Sequence, residues 1–291
     1  MPARMLYVYT LSPLHCGTGQ AADIIDLPVA RERVTNWPII PGSSLKGPLK
    51  AQLRPENGDG SVWQSAFGPD TNRADDGAGG LSFGDARLLC FPARSYAGSF
   101  AWLTCPLALR RWQRDHVAGE IALDVELSTL AAPATAGILV TATSQLRVGA
   151  SEKVVLEDLD LDAVTSNAAS AIAETLAHVI FAAPEWRVAF QAQFAIVSDD
   201  VFTFLTETAT EVVARVQLDA TQKTTVRGAL WYEEAVPAEA IFACPVLSAG
   251  RSRYSAAEHL GLLPARHTLQ IGGHGSVGRG LVEITVAGGA I

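Results

Sequence analysis

The chain has 291 residues, 48% of them hydrophobic, and a formal net charge of −8 at pH 7. That length and apolar content exclude a disordered chain and allow one elaborated domain with a packed core. The acidic balance excludes a free-standing, nonspecific nucleic-acid binder, yet leaves room for a basic groove on one face.

In chain order, residues 5–11 alternate and are β-branched or aromatic, which predicts a first strand. Ser12-Pro13 ends it, and 15–19 form a polar glycine turn. The segment 26–32 contains Pro28 and is expected to be irregular or an edge. Residues 37–42 are extended, and Ser43 or Ser44 is the expected N-cap of a helix over 45–53. Pro48 is tolerable there only near the first turns.

Gly, Asp, Asn and Pro dominate 54–80, the mark of a long loop or insertion. Strand character returns over 81–90, a short helix is expected over 107–116, and 121–156 read as strand and loop. Residues 162–181 carry apolar side chains at helical spacing behind an aspartate N-cap, and 198–208 predict a second capped helix. Two alternating runs, 212–218 and 224–232, flank a turn at 219–222 and predict a β-hairpin.

Near the C-terminus, GGHGSVGRG at 272–280 lies between two apolar strand-like runs. Gly272, Gly273, Gly275 and Gly278 can bring bare backbone N–H groups to a ligand, and Arg279 adds a fixed charge. Such successive amides form a concavity suited to phosphate. The spacing is neither a P-loop, since no Gly-Lys-Ser/Thr follows, nor a dinucleotide fingerprint, since strand follows rather than helix. A loose hairpin connection explains the same glycines.

Cys16, Cys90, Cys105 and Cys244 are far apart with no Cys-x-x-Cys pair, so reduced thiols are expected rather than zinc or a disulfide framework. No run is long and apolar enough to span a bilayer and the start lacks a signal-peptide core. A soluble, cytoplasmic protein with no membrane partner is the expectation.

Several residues are candidates for chemistry. Lys46, early in the first helix, can reach a phosphate where the helix dipole favours anions. Ser43 and Ser44 can donate as well, although N-capping alone explains a serine. Arg31, Lys50 and Arg279 suit phosphate contacts or surface salt bridges equally. His15 fits an acid–base, a phosphate contact or a hydrogen-bonded structural histidine. Tyr232, Glu233 and Glu234, at the end of the hairpin, fit a metal site, a neighbour's site or a solvated strand end.

Three runs carry a family resemblance: 11–19 (LSPLHCGTG), 41–47 (PGSSLKG) and the glycine loop at 272–280. Together they resemble the repeat-associated mysterious proteins, or RAMPs, of CRISPR systems. The runs 25–28 (IDLP), 81–89 (LSFGDARLL) and 228–234 (GALWYEE) are most similar to the fourth Cmr subunit family, the backbone of type III-B effector complexes. The resemblance covers most of the chain and leaves 58–80 and 121–160 unmatched.

The resemblance implies an α+β fold with a ferredoxin-like (RRM-like) palm. Inserted fingers or lid at about 54–80 and 121–160, and a protruding thumb hairpin within 199–235, complete a single domain over 1–291. It implies copies stacked as a filament along a guide crRNA beside other Cmr subunits, each cutting complementary target RNA at regular intervals. Asp26 aligns with the family's cleavage aspartate, although an aspartate in a loop is ordinarily a solvated turn former. With it come a loosely bound Mg²⁺ or Mn²⁺, His15, Tyr232 and Glu234 as further catalytic candidates, and Ser43, Ser44, Lys46, Lys50, Arg31, the loop glycines and Arg279 as RNA contacts. A non-catalytic scaffold coating the guide and a guide-processing RAMP endoribonuclease are the alternatives.

Overall fold

The computed structural model describes residues 1–19, 24–56, 60–69, 77–128, 130–218, 225–251 and 253–288. Its strands are β1 (Ala3–Thr10), β2 (Ile39–Ile40), β3 (Leu81–Phe83), β4 (Ala86–Arg94), β5 (Phe100–Thr104), β6 (Gly137–Val140) and β7 (Lys153–Leu156). They continue with β8 (Leu159–Thr165), β9 (Phe194–Val197), β10 (Glu211–Leu218), β11 (Thr225–Ala235), β12 (Ile241–Ser248), β13 (Arg266–Gln270) and β14 (Leu281–Ala287). The helices are α1 (Gly42–Gln52), α2 (Ser61–Phe67), α3 (Pro106–Ala118), α4 (Asn167–Ile180), α5 (Pro184–Gln193), α6 (Asp199–Thr208) and α7 (Ala256–Gly261).

β1 buries Leu6 and Val8 in one core and Met5, Tyr7 and Tyr9 in another, so both its faces are covered. That double burial suits a central position, and β1 pairs antiparallel with β12 on one side and β14 on the other. The described residues build a 12-stranded sheet in the order β13-β14-β1-β12-β4-β5-β9-β6-β8-β7, with β2 on β4 and β3 on β12. β5–β9 and β6–β8 are its parallel pairs. Leu45, Trp63, Phe202 and Leu260 of α1, α2, α6 and α7 fill one core. Trp112, Ile172 and Phe190 of α3, α4 and α5 fill the other. The architecture is mixed α/β around a large mixed sheet.

β10 and β11 stand apart as a two-stranded antiparallel hairpin, with Val216 opposite Leu230 and a register shift between Val216 and Leu218. The turn expected at 219–222 lies outside the described residues, as do 57–59 and 70–76 of the expected loop at 54–80. All four cysteines are buried and free. No described helix is long and apolar enough to cross a membrane.

Several local expectations are corrected. α1 starts at Gly42, so Ser43 and Ser44 lie inside its first turn rather than capping it. Asp85 does that work across the fold, its Oδ1 accepting from Gly42 N at 2.9 Å. A Cβ on Gly42 would stand 2.5 Å from the Phe83 carbonyl oxygen, so the close approach needs glycine. Pro48 sits well inside the helix, beyond the first turns to which its missing N–H confines it by expectation. α2 forms within the expected loop because Trp63, Ala66 and Phe67 reach the core. Residues 162–165 are strand, not helix, and Ser166 caps α4 by accepting from Ala169 N.

Beneath the sheet, Trp112 Nε1 donates to Tyr7 Oη at 2.9 Å and His116 Nδ1 to the Trp112 carbonyl at 2.9 Å. Burial pushes the His116 pKa below its ordinary 6.5, against the opposing Trp112 bond and Asp115 charge. Burial lowers His259 as well. A depressed folded pKa makes the neutral ring the stabilising form, so its contribution is full above the unfolded value and drains away as pH falls below it. The melting temperature is therefore expected to fall between about pH 7.5 and about pH 5, and to fall less in His116→Gln. Equal losses in both proteins, read by calorimetry, would remove His116 from the account.

Candidate functional site

The segment after the first glycine turn runs parallel to the root of the hairpin. Leu27 bridges Glu233, with Leu27 N donating to the Tyr232 carbonyl at 3.1 Å and Glu234 N to the Leu27 carbonyl at 3.0 Å. This pairing delivers Asp26 to β11, where its Oδ2 accepts from Tyr232 N at 2.8 Å. Among the described residues no donor meets Oδ1, and the carboxylate is only half-buried. One oxygen is thus fixed and the other available. The Tyr232 ring, 40% exposed, projects from the same residue whose amide holds the carboxylate.

Glu234 and Arg31 meet each other instead of an open face. Glu234 is 2% exposed, and its Oε1 accepts from Arg31 Nη2 at 2.5 Å and Thr210 Oγ1 at 2.9 Å, its Oε2 from Val29 N at 3.0 Å. Arg31 Nη1 donates to the carbonyls of Asn36 at 2.7 Å and Thr206 at 3.1 Å. The pair ties the Asp26 segment, α6 and the hairpin root together. Glu233, 3% exposed, accepts from Trp231 Nε1 at 2.9 Å and Arg215 Nε at 3.1 Å. Burial pushes its pKa up, but the Trp231 and Arg215 bonds and the His274 and Arg215 charges outweigh it and hold the group below the usual carboxylate value.

The glycine loop closes onto this root from the other side. Gly273 N donates to the His15 carbonyl at 2.8 Å and Gly280 N to the Pro13 carbonyl at 2.9 Å. Gly272 adopts φ 72°, and a Cβ there would lie 2.5 Å from the His15 oxygen, so the seat needs glycine. His15 is buried; its Nδ1 donates to the Glu234 carbonyl at 2.6 Å. The His274 ring centroid stands 5.1 Å from that of His15, and its Nε2 lies 3.8 Å from Glu233 Oε1. Gly272, Gly273, Gly275 and Gly278 are exposed. Arg279 is 7% exposed, its Nη1 buried with no partner among the described residues, and its charge opposes the upward push of burial on Glu211.

α1 joins through its first turn, where Ser44 opposes the upward push of burial on the Cys16 thiol, while Ser43 is exposed. Lys46 Nζ donates to the Leu81 carbonyl at 3.2 Å and Lys50 Nζ to the Pro69 carbonyl at 2.6 Å. The structure therefore gathers Asp26, Tyr232, His15 and the glycine loop at one place, with Ser44 next to it. Lys50 points away along α1, and Arg31 and Glu234 are internal. His274, Arg215 and Glu211 join the cluster without having been singled out: a loop histidine and two hairpin charges gain meaning only from their contacts with Glu233 and Arg279 in the folded chain.

No group of three His, Cys, Asp or Glu side chains able to hold a metal occurs among the described residues. Glu233 and Glu234 are occupied by protein donors, leaving Asp26 as the open carboxylate. That donor set suits a cation completed by water and a substrate phosphate, not one caged by protein.

Residues 7–283 match the RAMP superfamily. The chain is 35% identical to the CRISPR system Cmr endoribonuclease Cmr4 of Pyrococcus furiosus, covering 98% of this chain and 96% of that protein. The crystal structure of oligomeric Cmr4 from Pyrococcus furiosus superimposes with a TM-score of 0.74 at 31% identity, with 99% of each chain covered. A type III-B Cmr-beta structure bound to cognate target RNA shares the fold, with a TM-score of 0.76 at 21% identity over 98% of this chain and 97% of that one.

Proposed function

The chain belongs to the RAMP superfamily, and from that premise we propose that it is the repeated backbone subunit of a type III-B Cmr complex. It lies along a guide crRNA beside copies of itself and other Cmr subunits, and cuts complementary target RNA at regular intervals. The central sheet with its helices acts as the ferredoxin-like palm, and β10–β11 as the thumb that interrupts the guide–target duplex. Support comes foremost from the Asp26 carboxylate anchored to the hairpin root by Tyr232 N at 2.8 Å, beside an exposed glycine loop.

RNA cleavage by its own 2′-hydroxyl needs a proton acceptor, in-line geometry and stabilisation of charge on phosphorus. Regular A-form duplex holds the 2′-oxygen away from in-line attack, so a hairpin that splays the strand supplies the geometry. Asp26 Oδ1 takes the 2′-proton as the 2′-oxygen bonds phosphorus and the P–O5′ bond breaks, leaving a 2′,3′-cyclic phosphate and a 5′-oxygen that takes a proton from water; the bond from Tyr232 N to Oδ2 keeps the carboxylate aimed as the hairpin engages. The exposed loop amides and the early turns of α1 grip guide phosphates. Sequence is read by base pairing, and the protein holds backbone and shape. Asp26 would hold a loosely bound Mg²⁺ or Mn²⁺, which when present neutralises charge developing on the phosphate.

The test is the complex reconstituted with a guide and a labelled complementary RNA. A ladder of evenly spaced cuts in Mg²⁺, lost in EDTA while target binding persists, is expected. Cuts that survive EDTA remove the metal from the reading. Bound target that no divalent ion allows to be cut makes the chain a scaffold.

A further inference from the structure

We propose that the cleft at Tyr9, Phe181 and Trp186 receives the turn at 33–35 of a second copy of this chain, whose Arg33 meets Glu239 there. This inference rests on the reading of the chain as a repeated backbone subunit and names a contact that repeats it. The cleft is about 250 Å³ and is lined by Tyr9, Leu11, Phe181, Trp186, Glu239 and Glu283 together with two alanines. It falls below the about 300–1,000 Å³ of drug-sized ligand pockets and suits a side chain carried on another protein.

The walls of the cleft are aromatic and held in place. The Trp186 ring stacks on Phe181 at 6.1 Å with 16° between the planes, and Phe181 meets Tyr9 edge-on at 5.1 Å. Arg187 Nε and Nη2 donate to the carbonyls of Phe181 at 2.7 Å and Ala182 at 3.1 Å, which ties down the entry to α5. Trp186 is nevertheless 46% exposed and Leu11 at the rim 41%. Of the two acids, Glu283 is paired with Arg266. The Glu239 carboxylate accepts from Tyr9 Oη through Oε2, and among the described residues no donor meets Oε1. Burial raises its pKa, against the bond from Tyr9, as befits a carboxylate without a cation beside it. Glu239 also holds φ 73°, uncommon for a residue with a side chain, fixed by Glu239 N donating to the Thr10 carbonyl at 2.7 Å and Trp102 Nε1 donating to the Glu239 carbonyl at 2.8 Å. An aromatic recess with an unanswered carboxylate selects arginine, whose planar guanidinium stacks on an indole face and forks onto a carboxylate.

The turn at 33–35 has the matching chemistry. Arg33 is exposed and pairs with no side chain among the described residues. Beside it Val34 is 89% exposed, the most of any large hydrophobic side chain described. The base of the turn is stiff: Glu32 N donates to the Trp37 carbonyl and Asn36 N to the Glu32 carbonyl, both at 2.9 Å. The Glu32 carboxylate accepts from Arg111 Nη1 and Thr35 Oγ1, each at 2.6 Å. A cation and an apolar side chain are thus presented with little left to order on contact, Arg33 for Glu239 and Val34 for the Leu11 rim. Turn and cleft belong to different parts of the fold. The turn is tied to α3 through Arg111 and to α6 through Glu207, whereas β1, β14 and α5 build the cleft. A contact between two different patches runs head to tail, and one whose rotation does not close builds a helical array.

Sedimentation velocity of the full chain, alone and on guide RNA, tests the contact. Arg33→Glu and Glu239→Arg are each expected to weaken association of copies by about 10- to 100-fold, and the two combined to restore it to within about threefold of wild type. Arg33 lies on an exposed turn, so Arg33→Glu reads the contact without endangering the fold. Glu239→Gln keeps an acceptor for Tyr9 Oη and should weaken association less than Glu239→Arg. Weakening in both single variants that the combined variant fails to restore means the two residues serve separate contacts and overturns the pairing. Unchanged association in both single variants overturns the contact and leaves the backbone reading standing. Copies that stay arrayed while Glu239→Arg releases a different Cmr subunit assign the cleft to that protein and also overturn it. Wild-type copies that form no array on guide RNA sink the backbone reading, and the contact with it.

Discussion

Asp26→Ala is expected to abolish regular cutting of bound target RNA, lowering the rate by about 10² to 10⁴-fold, the usual contribution of a positioned proton acceptor. Target affinity should hold, because the carboxylate adds no attraction to a polyanion. Asp26→Asn is the sharper variant. Its amide oxygen can still accept from Tyr232 N, so the 2.8 Å anchor to the hairpin survives while the proton acceptor is gone. Loss of cuts in both variants assigns the chemistry to the carboxylate. Cuts lost in Ala but retained in Asn would make Asp26 a strut for the hairpin. Cuts retained in both would move the chemistry to another residue.

Glu234→Ala is expected to damage stability and leave the cleavage chemistry of surviving complexes alone. It strands the Arg31 guanidinium and leaves Val29 N and Thr210 Oγ1 without their acceptor in a buried site. Breaking such a pair costs about 3–5 kcal/mol. For a domain of this size that lowers the melting temperature by roughly 10 °C. Glu234→Gln keeps an acceptor for Val29 N and should fall between wild type and alanine. An unaltered melting temperature together with lost cutting would return Glu234 to the reacting groups. The expectation follows from burial: a 2% exposed carboxylate with three protein donors has no oxygen left for RNA.

How much of the fold was legible depended on whether a segment's signal was local. The alternation of 212–218 and 224–232 appears as the antiparallel pair β10 and β11, and Ser198 caps α6 by accepting from Val201 N. These features arise from neighbours in sequence. β5, β9 and β12 gave no comparable signal, because strands covered on both faces read as unbroken apolar runs. Their identity comes from the partners they pair with. α2, only 7 residues long, is too short for its periodicity to stand out from the glycine-rich stretch around it. Its place is secured by core contacts of Trp63 and by the cation of Lys50 over that ring.

Of the site, residue types and their spacing are legible in the chain: an aspartate before a proline-bearing segment, a glycine turn with His15, a serine- and lysine-bearing helix start and GGHGSVGRG. Glycine's lack of a Cβ makes such loops readable, since no other residue tolerates Gly272's approach to the His15 oxygen. Tertiary structure alone decided which charges are free. Arg31 and Glu234, 203 positions apart, cancel inside the fold, whereas Asp26 keeps an oxygen open and Arg279 a buried nitrogen unpartnered among the described residues. Charge pairing falls off over a few ångströms and is blind to sequence separation. Only the folded chain, by bringing the hairpin root against the 26–31 segment, separates a carboxylate that locks the structure from one available for chemistry.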